Sequence, residues 1–211
     1  MPLSVSLPRL LLVTNRHLCR ARSQVDILRE ATTAGLRFVQ IREKDQPDGA
    51  IEDLVDELRD ALPFETVLTL NGRPELARRL GLGLHLPANH PPPPVLPLRP
   101  CGRSAHNLLE IQAALVGSAD YLVLGTIFPT ASKPGHPGAG LEFLRQGVVQ
   151  AAPLPTFAIG GMCAAVIPEV MACGVWGVAV SSAILEAEDV SAATRTLLDL
   201  IHRSLNHTPQ V

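Results

Sequence analysis

Eight times along this chain, a short run of apolar residues gives way to an amphipathic stretch or a long loop. "RLLLVT" (9–14) precedes an amphipathic stretch at 23–34, and "LRFVQI" precedes another at 49–62. "TVLTL" precedes 74–80, where Pro74 suits a first helical turn. "LGLHL" leads into a loop containing "PPPP" (91–94), and "CGRSA" precedes 107–116. "DYLVLG" is followed by a long loop and then by 141–151. "TFAIGG" precedes 164–173, and "VWGVAVSS" leads into 183–185 and a last helix over 190–205. Strands that are apolar without alternation belong in a parallel sheet covered on both faces. Eight such βα units in 211 residues predict a compact (β/α)8 TIM barrel. The chain then forms a single domain over 1–211, with its core at 9–205. A doubly wound open sheet is the alternative if some of the short runs are not strands. The proline-rich segment reads as a loop over the barrel mouth rather than a ligand for another domain.

Composition removes several function classes. The net charge is −2, only 18% of residues are charged and 3% are aromatic, so neither a basic groove nor a base-stacking platform is expected. No nucleic-acid partner is therefore expected. Cys19, Cys101, Cys163 and Cys173 form no C-x-x-C pair, which argues against a zinc site and for a reducing cytoplasm. The N-terminal "LPRLLLVTNRH" is too short to span a membrane and lacks a signal-peptide layout.

A barrel of this kind carries its active site at the C-terminal strand ends. Polar residues there are Arg42, Lys44, Asn71, His85, Ser104, His106, Thr126, Thr130, Lys133, Gly161 and Ser182. "AIGGM" ends the seventh strand with Gly160 and Gly161, and "AVSSAI" ends the eighth with Ser181 and Ser182. Exposed amides and hydroxyls at a helix start suit a phosphate, although two tight βα turns would also demand glycine. In "VQIREKD", Gln40, Arg42 and Lys44 alternate, so period two aims them all toward the mouth. Two cations there suit a phosphate or carboxylate, unless Glu43 and Asp45 neutralise them in a solvated cluster. The loop "FPTASKPGHPGAG" (128–140) offers Thr130, Ser132 and Lys133, either to close over an anion or as an ordinary connector. His106 precedes Asn107, which lies three residues before Glu110 and predicts a capped helix start. Nearby amide dipoles would keep the His106 imidazole neutral and able to accept a proton, although a rim histidine can also simply bond a loop. His85 reads as a packed strand-end residue, and His17, His90, His136, His202 and His207 read as surface.

In order, "QIREK", "NGRPELA", "GRSAHNLLE", "ADYLVLGTIFPTASKPG" and "AIGGM" followed by "GVAVSSAI" resemble the thiamine phosphate synthase and thiazole tautomerase superfamily over residues 9–205. The resemblance implies the same (β/α)8 barrel. Synthases of that superfamily join a pyrimidine diphosphate to a thiazole phosphate and hold the diphosphate with Mg²⁺. Their ligands include an Asp after the Asn of an Asn-Asp-Arg motif and another after a His-Leu-Gly-Gln-like strand end. Here these stretches read Asn71-Gly72-Arg73 and His85-Leu86-Pro87-Ala88-Asn89-His90, with neither carboxylate. Mg²⁺ requires hard oxygen ligands.

These departures, together with "GRSAH", resemble the thiazole tautomerase branch, and His106 matches that branch's acid/base residue. The resemblance therefore implies an isomerase that needs no metal or cofactor and aromatises a carboxythiazole phosphate by proton transfer. His106 would take the ring C2 proton and return it to the exocyclic carbon. Gly160, Gly161, Ser181 and Ser182 would grip the phosphate, and Arg42 or Lys133 would face the carboxylate. Gln40, Ser104, Thr130 and Ser132 would complete the lining. Lys44, Asn71 and Lys133, however, match positions that hold the diphosphate in synthases, so a synthase using Mg²⁺ is the alternative. A non-catalytic sensor of a thiazole or thiamine phosphate is a third reading. The implied partner is a small phosphate, and a homodimer is an assembly the family often adopts.

Overall fold

Period-two alternation divides each strand between two cores. In β1 (Leu10–Val13), Leu10 and Leu12 pack outward under the helices, whereas Leu11 and Val13 point into a second, enclosed cluster. Both faces are buried, which is why the run carries no polar residue. The computed structural model describes residues 7–91, 99–117 and 119–206. The remaining strands are β2 (Phe38–Ile41), β3 (Val67–Asn71), β4 (Gly83–Leu86), β5 (Cys101–Ala105), β6 (Tyr121–Gly125), β7 (Thr156–Ile159) and β8 (Gly177–Val180). Each pairs in parallel with the next, and β8 pairs with β1, closing the barrel. That last pairing rules out the open doubly wound sheet.

The helices are α1 (Gln24–Thr33), α2 (Asp48–Ala61), α3 (Pro74–Arg79), α4 (Leu108–Val116), α5 (Gly140–Ala151), α6 (Ile167–Met171), α7 (Ser182–Leu185) and α8 (Val190–Asn206). Their starts follow local chemistry. The Ser23 side chain accepts from the Asp26 amide, Asn107 accepts from the Glu110 amide, and Pro74 opens α3. The helix expected at 164–173 is shorter, because 164–166 form a turn and Pro168 sits in the first helical turn. No helix lies between β4 and β5 among the described residues. Of the proline run, Pro91 is exposed and the rest lies outside the described residues. No helix among the described residues is long and apolar enough to cross a membrane.

Inside the barrel, Phe38, Tyr121 and Phe157 meet edge to face with ring centroids 5.4 to 5.9 Å apart. Trp176 lies beneath this trio. Its indole N–H donates to the Leu7 carbonyl, and the Arg9 guanidinium lies 3.9 Å from its ring. The aromatic layer fills the lower barrel and leaves the C-terminal strand ends to polar side chains.

Phe157 is fully buried in this layer, whereas Phe64 is fully exposed. Phe157→Ala is expected to cost about 3–5 kcal/mol. Phe64→Ala should stay within about 0.5 kcal/mol of wild type. Denaturant midpoints measured on both variants check the contrast.

Candidate active site

The strand ends surround a cavity of about 290 Å³. Gln40, Arg42, Asn71, Ser104, His106, Thr130, Ser132, Lys133, Gly160, Gly161, Ser181 and Ser182 all line it. Lys44 does not. Strand β2 ends at Ile41, so the alternation stops short of Lys44, which lines an adjoining cavity that shares Asn71 with the first.

The cations were expected either to bind an anion or to be neutralised by Glu43 and Asp45. The structure diverts both carboxylates. Glu43 is buried and accepts from the Thr14 hydroxyl (2.6 Å), the Arg16 amide (3.0 Å) and the Gln24 amide group (2.7 Å). Asp45 accepts from Arg16 (2.5 Å) and lies 3.0 Å from the His17 ring, and these contacts hold its pKa down to about 2. Among the described residues, no ion pair engages Arg42, Lys44 or Lys133. Lys44 is held below its ordinary pKa first by the charge of Arg42, then by burial, then by Lys133. Burial lowers the Arg42 pKa as well, with Glu43 opposing. A lysine repelled by two neighbouring cations beside a cavity is an arrangement that could receive a multiply charged anion.

The Thr14 hydroxyl also accepts from the Arg42 amide at 2.9 Å, so the buried Glu43 network fixes the loop that carries two of the cations. Arg73, by contrast, is committed to structure. It donates to Asp48 at 2.6 Å and to the Gln46 carbonyl at 2.5 Å.

A second surface that could receive an anion comes from the ends of β7 and β8. Gly160 and Gly161 have φ of 100° and 67°. A Cβ on Gly161 would meet the Pro129 carbonyl oxygen at 2.8 Å, so only glycine lets the 128–140 loop pack this closely. That loop is anchored where Phe128 N–H donates to Gly160 and Ala139 N–H donates to Thr126. Within it, Lys133 N–H donates to the Thr130 carbonyl (3.1 Å) and Ser132 N–H to the Thr130 hydroxyl (3.4 Å). Ser182 and Ala183 occupy the first turn of α7, where the helix supplies no acceptor for their N–H groups. The Ser181 hydroxyl instead donates to the Val13 carbonyl at 2.9 Å. Its proton therefore pins β8 to β1 rather than facing a phosphate.

Gln40 is buried, and its Oε1 has no hydrogen-bond partner among the described residues. An orphaned acceptor lining a cavity awaits an N–H from a ligand. His106 stands half exposed on the rim, with its Nδ1 2.9 Å from Glu110 Oε2 and its amide donating to the same oxygen at 2.7 Å. Burial acts to raise the Glu110 pKa, but the His106 and Asn107 hydrogen bonds outweigh it and leave the carboxyl below its ordinary value. Amide dipoles near the helix start were expected to disfavour the charged imidazole. It faces a carboxylate, because Glu110 reaches back one residue past the cap. One polar lining residue, Asn15, escaped the sequence reading, although it lies two residues past the first strand, where the strand-end rule applies. His85 was among the strand-end candidates but was then read as packed, and it lines the cavity with its Nε2 2.9 Å from Ser104 Oγ.

Residues 10–184 match the family model described as thiamine monophosphate synthase. A thiamine-phosphate synthase from Chloroflexus aurantiacus is 36% identical over 92% of this chain and 92% of its own length. One from Gloeobacter violaceus is 34% identical over 92% of this chain, which spans only 58% of that protein's length. A solved thiamine phosphate pyrophosphorylase from Pyrococcus furiosus superposes with a TM-score of 0.79 at 30% identity, covering 93% of this chain and 96% of that one.

These relatives overturn the tautomerase expectation and the isomerase assignment from which the role given to His106 was argued. Proteins similar over nearly the whole length are named synthases. Physically, the missing carboxylates at Gly72 and Asn89 alter two loop positions. Lys44, Asn71 and Lys133, by contrast, stand together around the two cavities.

An anion bound between the cations stabilises protonated Lys44, so the bound-state pKa exceeds the free-state value, itself below 10.5. Affinity is then complete below the free Lys44 pKa and falls as pH rises through it. Calorimetric titration with inorganic diphosphate should show this alkaline loss. Lys44→Met should bind more weakly and lose that pH dependence. An unchanged alkaline fall in Lys44→Met would contradict the assignment.

Proposed function

This chain belongs to the thiamine monophosphate synthase family, and from that premise we propose that it is a transferase joining a pyrimidine diphosphate to a thiazole phosphate. In this reaction the carbon–oxygen bond to the diphosphate breaks, the thiazole nitrogen bonds to the freed methylene carbon, and diphosphate leaves. The observation that carries the reading is one pocket with two anion-holding surfaces, the Arg42–Lys133 side with Lys44 adjoining and the Gly160–Ser182 side. A single substrate carboxylate would call for one cation on the first surface, whereas three suit a diphosphate.

The residues take roles on this proposal. Arg42, Lys44 and Lys133, with Asn71 between the two cavities, hold the diphosphate and stabilise the charge that builds on it as the bond breaks. Amides around Gly160, Gly161 and Ser182 hold the thiazole phosphate. Gln40 Oε1 accepts an N–H from the pyrimidine amine, and Thr130 and Ser132 close the polar lining. Anchoring both ends of the reacting pair brings nucleophile and carbon together, which is where positioning lowers a barrier.

The Mg²⁺ implied by the family does not fit the side chains present. Gly72 offers no donor, Asn89 is exposed and outside the cavity lining, and no group of three or more His, Cys, Asp or Glu among the described residues could hold a metal. No step is assigned to the metal, and the diphosphate charge falls to the three cations. The proposed setting is a reducing cytoplasm, supported by four free cysteines. The homodimer implied by the family is supported by exposed Leu109, Val116 and Val149 on α4 and α5.

Purified protein incubated with both precursors is expected to form thiamine phosphate. Lys133→Ala should lower kcat/KM on the order of 10²-fold. No product with or without added Mg²⁺ would sink the synthase reading.

A further inference from the structure

We propose that Glu43 is a positioning residue: its buried carboxylate ties the segment that carries Arg42 and Lys44 to the end of β1, and cutting that tie weakens anion binding even though it removes a negative charge from beside the cations.

The tie starts where the ladder between β1 and β2 runs out. The Thr14 N–H donates to the Gln40 carbonyl at 2.9 Å. Two residues past Gln40, the Arg42 N–H donates to the Thr14 hydroxyl at 2.9 Å. An amide N–H can only donate, so the Thr14 oxygen accepts there. The hydroxyl proton goes to Glu43 Oε1, 2.6 Å away. The Gln24 amide group donates to the same oxygen at 2.7 Å, and the Arg16 N–H donates to Oε2 at 3.0 Å. One carboxylate thereby gathers the end of β1, the loop after it, the first residue of α1 and the loop after β2. Thr14 is fully buried and Glu43 nearly so. Asn15, which lines the cavity, lies between Thr14 and Arg16 and is placed by the same tie. From the turn before α3, Arg73 grips the Glu43 backbone as well, donating to its carbonyl at 3.4 Å. Arg42 and Lys44 therefore leave the chain on either side of a residue held at both its side chain and its carbonyl.

Two effects of Glu43 on an incoming anion oppose each other. Its charge lies next in sequence to two cations, and it lines the same adjoining cavity as Lys44. If it acted only as their counter-ion, it would compete with the anion, and its removal would tighten binding. As a tie, it needs acceptors on both oxygens. A carboxamide has a single acceptor oxygen, so glutamine at this position leaves either the Arg16 N–H or the Thr14 hydroxyl proton without its partner. Lys44 is exposed, and solvent screens a charge acting there. A buried donor left unpaired has no such relief. The loss of position therefore sets the sign.

The consequence for binding rests on the reading of these cations as diphosphate ligands. Calorimetric titration of the full chain with inorganic diphosphate is expected to show Glu43→Gln binding about tenfold more weakly than wild type, the scale of one hydrogen bond to a charged group. Thr14→Val keeps every charge but cuts the link between the Arg42 N–H and Glu43, and it should lose a similar factor. Thr14→Ser keeps the hydroxyl and should bind close to wild type. Combining Thr14→Val with Glu43→Gln should lose less than the two separate losses multiplied, because both cut one link. Affinity for a thiazole phosphate, assigned to the Gly160–Ser182 loops, should stay near the wild-type value in each variant, which a general loosening of the barrel would not allow. Folded Glu43→Gln that binds diphosphate as tightly as wild type, or more tightly, would overturn the inference. Should that variant not fold, the Thr14 pair decides: Thr14→Val equal to wild type, or Thr14→Ser as weak as Thr14→Val, would overturn it. This pattern of diphosphate binding in a chain that forms no thiamine phosphate would overturn the proposed function alone.

Discussion

Closing eight four- or five-residue parallel strands on themselves forces every second side chain into one shared interior. That space is small, and its contents are layered. The lower layer is taken by Phe38, Tyr121 and Phe157, which exclude water and fix the strands' relative heights. The next inward positions along the same strands are Gln40 after Phe38, Val123 after Tyr121 and Ile159 after Phe157. The cavity floor is therefore set by the packing beneath it. Each strand end then delivers its polar residue at a height determined by the ladder register rather than by a flexible loop. Gly102 is part of that geometry, because its missing side chain admits the Tyr121 ring.

Charge is handled by the same economy of space. A cation cluster without partners is unfavourable, as the lowered Lys44 pKa shows. The chain keeps it because Glu43, the carboxylate next in sequence to two of its members, is held by Thr14, Arg16 and Gln24. The repulsion is relieved when an anion enters, so part of the cost of folding returns as binding energy. A site that sacrifices local stability for an absent ligand is a common mark of function.

The fold was legible because each βα unit carries its own signals. Caps at Ser23 and Asn107 and the proline at position 74 mark helix starts, and the apolar runs mark strands within a residue or two. Most of the lining was legible too, once the strand ends were taken as the site. Features that depend on contacts distant in sequence were not. Whether Glu43 neutralises Arg42 turns on Thr14, 29 residues away. Whether His85 only packs turns on Ser104, 19 residues away on the next strand. The choice of chemistry misled for a related reason. Two missing aspartates and one rim histidine suggested proton transfer, while the retained cations argued for a diphosphate. Relatives that cover 92% of the chain and are named synthases overturn the tautomerase reading.

Synthesis as proposed requires two anions to be held at once, one between Arg42 and Lys133 with Lys44 adjoining and one at the Gly160–Ser182 loops. A ³¹P NMR titration tests it by adding a thiazole phosphate to protein already saturated with inorganic diphosphate. Two sites require both ligands to remain bound, with a 1:1:1 complex at saturation. If the thiazole phosphate instead expels the diphosphate, there is a single anion site, and the pocket cannot join the two substrates as described.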